Sequence, residues 1–347
     1  MKNLVVNAKA PIRILDFGGW TDTWFVEKGA VLNFAIQKYV HVLAIRRRKE
    51  GITIFAEDYD EALELGTTNP AEIDSDNFYN GHHDLLKVAF ASLRIPFGLN
   101  VYVRSDVPPS LGTGTSAAVS VAILGALDYL MDRLSDSFTI AQTAHKLETD
   151  QPPQGLGFQC GVQDQYASAI GGINLIEIDS FPKVRISSLR LPPIITQELQ
   201  NRLLLVCVSK GHNSSDVHKE VIAKFESGSP DTKKALEVLT QTAYQAKRYL
   251  EDGNFDGFAS VMNQNNAAQK MLHQCIQTEE MEVIEKIAFA NGALGVKING
   301  AGAGGSLTIL SDINNKKQIE HILAKEDFQI IECLLDYGGL KRDKIHF

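Results

Sequence analysis

The sequence predicts an α+β fold in two domains, on three observations. The chain has 347 residues, enough for two hydrophobic cores. Short strand-like runs mix with helical ones and return tightly from strand to strand, which favours two α+β halves over one doubly wound sheet. The periodicity breaks at Leu191-Pro-Pro-Ile-Ile195, after which a fresh apolar strand begins at Arg202. The break places an N-terminal domain at 1–195 and a C-terminal domain at 196–347.

In the first half, residues 4–8, 31–45, 52–56 and 99–104 carry strand-like apolar runs. Residues 84–93 place Leu85, Val88, Ala89 and Leu93 at helical spacing. A helix apolar on almost every face follows the loop at 107–116, and another at about 138–149 stops before Pro152-Pro153. In the second half, 232–250 puts Ala235, Leu239, Ala243, Ala246 and Leu250 on one face. Helical pattern resumes at 255–272, 279–290 and 315–325, and strands are expected at 295–298, 307–310 and 328–335.

Composition narrows the function classes. Apolar residues make up 44% and charged residues 22%, the balance of an ordinary globular chain. A net charge of −8 argues against a nucleic-acid binder, which needs a basic face. Arg46-Arg-Arg-Lys49 is the one basic run, and it reads as the surface end of a hairpin. Cys160, Cys207, Cys275 and Cys333 are scattered, so neither a zinc site nor a disulfide framework is expected. Free thiols, no visible signal peptide and an apolar helix interrupted by Asp128 point to a cytoplasmic protein outside the membrane.

Three glycine-rich islands carry the chemistry. The first is Ala10-Pro-Ile-Arg-Ile-Leu-Asp-Phe-Gly-Gly-Trp-Thr-Asp-Thr23, the second Pro108-Pro-Ser-Leu-Gly-Thr-Gly-Thr-Ser-Ala-Ala118, and the third Lys297-Ile-Asn-Gly-Ala-Gly-Ala-Gly-Gly-Ser306. Any one alone could be a turn. The second runs straight into a helix, whose free N–H groups and positive dipole end attract an anion. Gly112 and Gly114 would let the backbone approach a bulky group, and Thr113, Thr115 and Ser116 add hydroxyls, so phosphate is the candidate. No lysine follows, which excludes a Walker A loop. A dinucleotide fingerprint would need an acidic residue ending a second strand, whereas Asp132 lies at the tail of the same helix.

Taken together and in this order, the islands resemble those of the GHMP kinase family, over nearly the whole chain. That resemblance implies an N-terminal domain of the ribosomal protein S5 domain 2 type and a ferredoxin-like C-terminal domain, with the active site between them. It implies ATP and Mg²⁺ as cofactors. Pro109, Leu111, Gly112, Thr113, Gly114, Thr115 and Ser116 would bind ATP. Asp164 would be the catalytic base and Arg13 its basic partner, while Ser116 and Glu148 would ligate the metal. Gly18, Gly19, Trp20, Thr21, Asp22, Gly302 and Ala303 would bind substrate.

Within the sugar-1-kinase branch, the wording of the first island resembles the fucose type. The run from Gln163 to Gly172, the chain length and the pattern from Phe328 to Phe347 resemble the heptose-phosphate type, which is placed ahead. The implied acceptor is D-glycero-D-manno-heptose 7-phosphate or a related heptose. A free sugar such as L-fucose or galactose, or a non-catalytic sugar and nucleotide sensor, stands as the alternative. The heptose type usually has Lys where this chain has Val162, and the segment between Glu148 and Asp164 is longer than in most members. His82 and His83 could reach a sugar hydroxyl or act only in capping or at the surface, and His212 could face the cleft from the second domain. A small-molecule partner is implied, with the protein a monomer or homodimer.

Overall fold

The computed structural model describes residues 4–48, 51–65, 83–93, 95–152, 154–208 and 214–346. Two sheets organise these residues. The first is built on β1 (Leu4–Phe17) and β2 (Gly29–Arg47). To them are added β3 (Ile52–Ala56), β4 (Glu61–Leu65), β5 (Gly98–Ser105), β6 (Ile173–Ser180) and β7 (Lys183–Leu189). The order β1-β2-β5-β3-β4 is antiparallel except for β3 with β5, and β6 pairs with the first part of β2 while β7 pairs with β6. β1 and β2 are buried on both faces through their central residues, because helices cover the sheet on each side.

Those helices explain the apolar runs. α1 (Asp84–Leu93), α2 (Thr115–Leu130), α3 (Ser137–Thr149) and α4 (Gln163–Ile170) belong to the first half. α2 is apolar nearly all round because it packs on β1 and β2 with α3 and α4 beside it. Its one acidic core residue, Asp128, is satisfied by the N–H and hydroxyl of Ser135, both at 2.8 Å, and by Arg342 at 3.3 Å.

The second sheet has the antiparallel order β11-β8-β10-β9, from β8 (Leu203–Cys207), β9 (Ala293–Ile298), β10 (Ser306–Ser311) and β11 (Ile330–Glu332). Around it lie α5 (Pro193–Arg202), α6 (Ser214–Glu226), α7 (Pro230–Glu251), α8 (Phe255–Leu272), α9 (Glu279–Ala290) and α10 (Lys316–Lys325). α7 presents the expected alanine and leucine stripe, and α7 and α8 pack together and reach the first sheet. Phe258 of α8 meets Phe17 and Phe34 there, so one apolar core continues across both halves.

Three expectations change. The break at Pro192-Pro193 is the start of α5, since proline in the first turn of a helix gives up only an N–H that has no partner there. The strand expected at 328–335 pairs with β8 over Ile330–Glu332, while Leu335 already bridges to Ile36 of the first sheet. The chain then crosses back, and β12 (Lys341–His346) pairs antiparallel with β1, so these residues lie in the first sheet although the expected division at 195/196 put them with the second. Lys341-Arg-Asp-Lys344 hides the strand in the sequence. The charges are used on the spot, Arg342 on Asp128 and Lys344 on Asp132 at 2.5 Å. Among the described residues, no helix is long and apolar enough to cross a membrane.

The returning segment is locked to α4. Asp336 accepts from Tyr39 Oη and Lys341 Nζ, each at 2.7 Å, and from the N–H groups of Gly338 and Gly339. Gly171, which caps α4 at φ +71°, lies so close to Gly339 that a Cβ would stand 2.3 Å from its nitrogen. Gly171→Ala is therefore expected to lower the unfolding free energy by about 2 kcal/mol or more, read by urea denaturation. An unchanged midpoint would show that this seam yields easily.

Candidate active site

Where the first sheet faces the second lies a cleft of about 870 Å³. Its centre is Arg13, on the part of β1 between two register shifts, at Pro11/Ile12 and Ile14/Phe17. Proline has no N–H for the ladder, and such irregularities re-aim side chains next to sites. Arg13 is buried. Its Nε donates to Asp164 Oδ1 at 2.7 Å, Nη2 to Asp164 Oδ2 at 3.2 Å, and Nη1 to the carbonyl of Gly112. Its backbone N–H donates to the Thr113 carbonyl at 3.0 Å. Burial alone would lower the guanidinium's pKa, but Asp164 and then Asp16 outweigh it and hold the charge. One side chain thus ties the second island to the first turn of α4.

The loop of the second island ends at Gly114, the N-cap of α2, at φ +69° and with no side-chain cap for the helix. Its open N–H groups and the exposed Ser116 face the cleft, and all seven residues expected to bind ATP line it. The reason for the glycines differs from the one expected. The missing Cβ atoms make room for protein. A Cβ on Gly112 would stand 2.7 Å from the Asn299 carbonyl oxygen, one on Gly300 2.7 Å from the Gly112 carbonyl oxygen, and one on Gly114 3.1 Å from Asp164 Cγ. Asn299 completes the seam. Its Oδ1 accepts from the Leu15 N–H at 3.0 Å, and its Nδ2 donates to Ser306 Oγ, which donates to the Leu111 carbonyl at 2.7 Å.

Of the residues expected to bind substrate, Trp20, Asp22 and Gly302 line the cleft, whereas Gly18, Gly19, Thr21 and Ala303 do not. Gly18 lies on the Ala30 carbonyl and Gly19 on Asp16, and Thr21 Oγ1 donates to the Gly18 carbonyl at 2.7 Å, so these three shape the turn. Ala303 packs into the core of the second sheet. Asp22 is buried against Gly161, and its Oδ2 accepts from the Gln163 N–H at 3.0 Å. Burial, with Asp164 adding to it, raises its carboxyl to about 6 against that hydrogen bond.

Glu148, on α3, also lines the cleft although it is buried. Gln165 Nε2 donates to its Oε1 at 2.9 Å and Ser120 Oγ at 3.5 Å. Burial, with Asp164 adding to it, raises the carboxyl to about 7. The long connection to Asp164 folds back on the end of α3, where the N–H of Phe158 donates to the Glu148 carbonyl at 2.7 Å and that of Gly157 to Asp150 at 2.8 Å. The extra residues therefore leave Glu148 at the cleft. Among the described residues, no three His, Cys, Asp or Glu side chains form a metal cage. A buried carboxylate with no cationic partner among the described residues and an exposed hydroxyl at the helix start are the hard oxygen donors that suit Mg²⁺, which needs few protein ligands when phosphate oxygens and water complete its shell.

Several residues of the site escaped the sequence. Asp16 lines the cleft and pairs with Lys297, which is buried behind it in the opposite half of the chain. His218, from α6, rests edge-on against Trp20 with ring centroids 4.9 Å apart, and its Nδ1 lies 3.0 Å from the Gln159 carbonyl. Gln163 and Gln165 flank Asp164, which could have drawn attention to them. His83 lines the far end of the cleft, with Nε2 2.6 Å from Glu61 Oε2. His82 and His212 lie outside the described residues.

Comparison with known proteins identifies the family. The family model for the GHMP kinases N terminal domain matches residues 82–172, and that for the GHMP kinases C terminal matches 246–330, together just over half of the chain. The chain belongs to the GHMP kinase family. It is 27% identical to D-glycero-alpha-D-manno-heptose 7-phosphate kinase of Campylobacter jejuni, over 98% of this chain and 99% of that one. It is 21% identical to galactokinase of Thermosipho africanus, over 92% and 93%. In structure it resembles a D-glycero-D-manno-heptose 1-phosphate kinase from Bacteriodes thetaiotaomicron (TM-score 0.78, 21% identity, 98% and 99% covered). It also resembles Methanococcus jannaschii mevalonate kinase (TM-score 0.75, 19% identity, 95% and 98% covered). The fold is the two-domain fold of this family.

The raised carboxyls have a consequence for stability. Glu148 moves from 4.5 to about 7 and Asp22 from 3.8 to about 6, so between about pH 4 and 7 the folded chain holds protons that the unfolded chain has lost. Their contribution to metal-free stability is therefore expected to fall as pH rises through that window. Glu148→Gln should stabilise the metal-free protein at pH 8 by on the order of 2 kcal/mol, measured by urea unfolding. A destabilised variant would mean that the Glu148 carboxylate is already compensated.

Proposed function

We propose that this protein transfers the γ-phosphoryl group of ATP to the anomeric C1 hydroxyl of a sugar, D-glycero-D-manno-heptose 7-phosphate or a related heptose. The observation that carries the reading is the Arg13 fork, which brings Asp164 to the lip of an anion-binding helix start. Likeness to the Campylobacter jejuni heptose 7-phosphate kinase supports the choice of acceptor. Retention of Asp164, Arg13 and Ser116 favours a working kinase over a sensor. On this reading the protein acts in the cytoplasm on a small molecule, as a monomer or homodimer.

Each residue then has a task. The N–H groups of the 112–116 loop receive the phosphates, and Ser116 with Glu148 would hold Mg²⁺, which when bound neutralises phosphate charge. Asp22 and Trp20 meet the sugar, the carboxylate gripping its hydroxyls with charge-assisted bonds. Asp164 accepts the proton of the attacking C1 hydroxyl, and Arg13 steadies the carboxylate before transfer and the developing charge during it. A free sugar as acceptor is the second reading. It is favoured by Val162, a buried apolar residue where the heptose type usually has lysine, which brings no charge to meet a substrate phosphate.

Wild type and Asp164→Asn are to be assayed with heptose 7-phosphate, L-fucose, galactose and mannose, and the product's phosphate located by NMR. The expected result is phosphate on C1, with kcat reduced about 10²- to 10⁴-fold in the variant. Turnover untouched by the substitution would remove Asp164 as base, and phosphate on a primary hydroxyl would refute the anomeric assignment.

A further inference from the structure

Lys297 lies near the end of β9 in the second sheet with its side chain buried. Nζ donates to Gln269 Oε1 at 2.6 Å and to the Ile298 carbonyl at 2.8 Å, and lies 3.4 Å from Asp16 Oδ1. Asp16 is buried as deeply. Its Oδ2 accepts from the N–H of Gly300 at 3.1 Å and lies 4.0 Å from Arg13 Nη1. Gly19 makes room for it, since a Cβ there would stand 2.6 Å from Asp16 Oδ2. Four charges thus alternate from the second sheet to the cleft: Lys297, Asp16, Arg13, Asp164.

A buried ion pair is a poor way to gain stability, because apolar residues of similar volume usually do as well. It does fix direction, since each charge admits its neighbour in few orientations. Burial lowers the Lys297 pKa, and Asp16 opposes that shift. We propose that Lys297 and Asp16 are positioning residues for the reaction, holding the Arg13 guanidinium from the side opposite Asp164 so that base and phosphate loop keep one register. This inference rests on the kinase reading above. It adds that the third glycine island takes part through Gly300, which anchors Asp16.

The test pairs crystal structures of wild type and Lys297→Met with their kinetics. In the variant the Arg13 Nε to Asp164 Oδ1 contact is expected to lengthen and kcat to fall about 10- to 100-fold, with the KM for ATP changed less than about threefold. Lys297→Arg should recover part of the loss. In an Asp164→Asn background, Lys297→Met should add no further loss, whereas damage to folding alone would lower activity in both backgrounds. If Lys297→Met does not fold, the Asp16→Asn/Lys297→Met double variant removes both charges together and is expected to show the same displaced Arg13. An Arg13–Asp164 contact unchanged in the variant structure overturns the proposal whatever the kinetics. Because the structures decide that point without any sugar, absence of turnover in wild type would count against the kinase reading alone.

Discussion

The buried guanidinium of Arg13 is the constraint around which the site is arranged. It binds a carboxylate of α4 and a carbonyl of the 107–116 loop at once, while its own backbone N–H holds the next carbonyl of that loop. A guanidinium out of water is tolerated only when its donors are taken up, and removing one partner of such a pair typically costs about 3–5 kcal/mol. The positions of β1, the loop and α4 are therefore not independent. Moving any one of them would leave a buried charge without its partner.

Around that fork the two halves meet backbone against backbone. Gly112 and Gly300 each leave out a Cβ that would strike the other's segment, and Ser306 and Asn299 close the gap with hydrogen bonds. With no Cβ at Gly112 or Gly300, main chain approaches main chain directly, and the buried Asn299 and Ser306 side chains hold the contact in place. A site that must hold a phosphoryl group in line between donor and acceptor gains from such stiffness, because a misplacement of about 1 Å is costly in rate. Carboxylates dominate the rest of the cleft. Asp22, Glu148 and Asp164 are close enough that each of the first two carries a raised pKa partly because of the third. Such a set suits a divalent cation.

Much of this was legible in the sequence, and the reasons are physical. α7 and α8 show their apolar faces at helical spacing, and the central strands show continuous apolar runs because both faces are covered. The three islands stood out because glycine is costly unless a close approach requires it. Their partners did not stand out. Gly18 and Gly19 look like ligand contacts in one dimension and turn out to accommodate Ala30 and Asp16. β12 was hidden because its charged side chains find their counter-charges on α2 and just beyond it. Lys297 and Asp16 lie at opposite ends of the chain, and only the folded seam pairs them.

The most direct measurement is the steady-state kinetics of Arg13→Lys with ATP and the sugar that wild type turns over. Lysine keeps the charge but is a single point donor and cannot fork between Asp164 and the Gly112 carbonyl. If the fork sets the register of base and phosphate loop, kcat should fall about 100-fold or more in a variant that remains folded. A folded Arg13→Lys enzyme within about threefold of the wild-type kcat would show that charge alone suffices, and the two-sided grip of Arg13 would not be what organises the site.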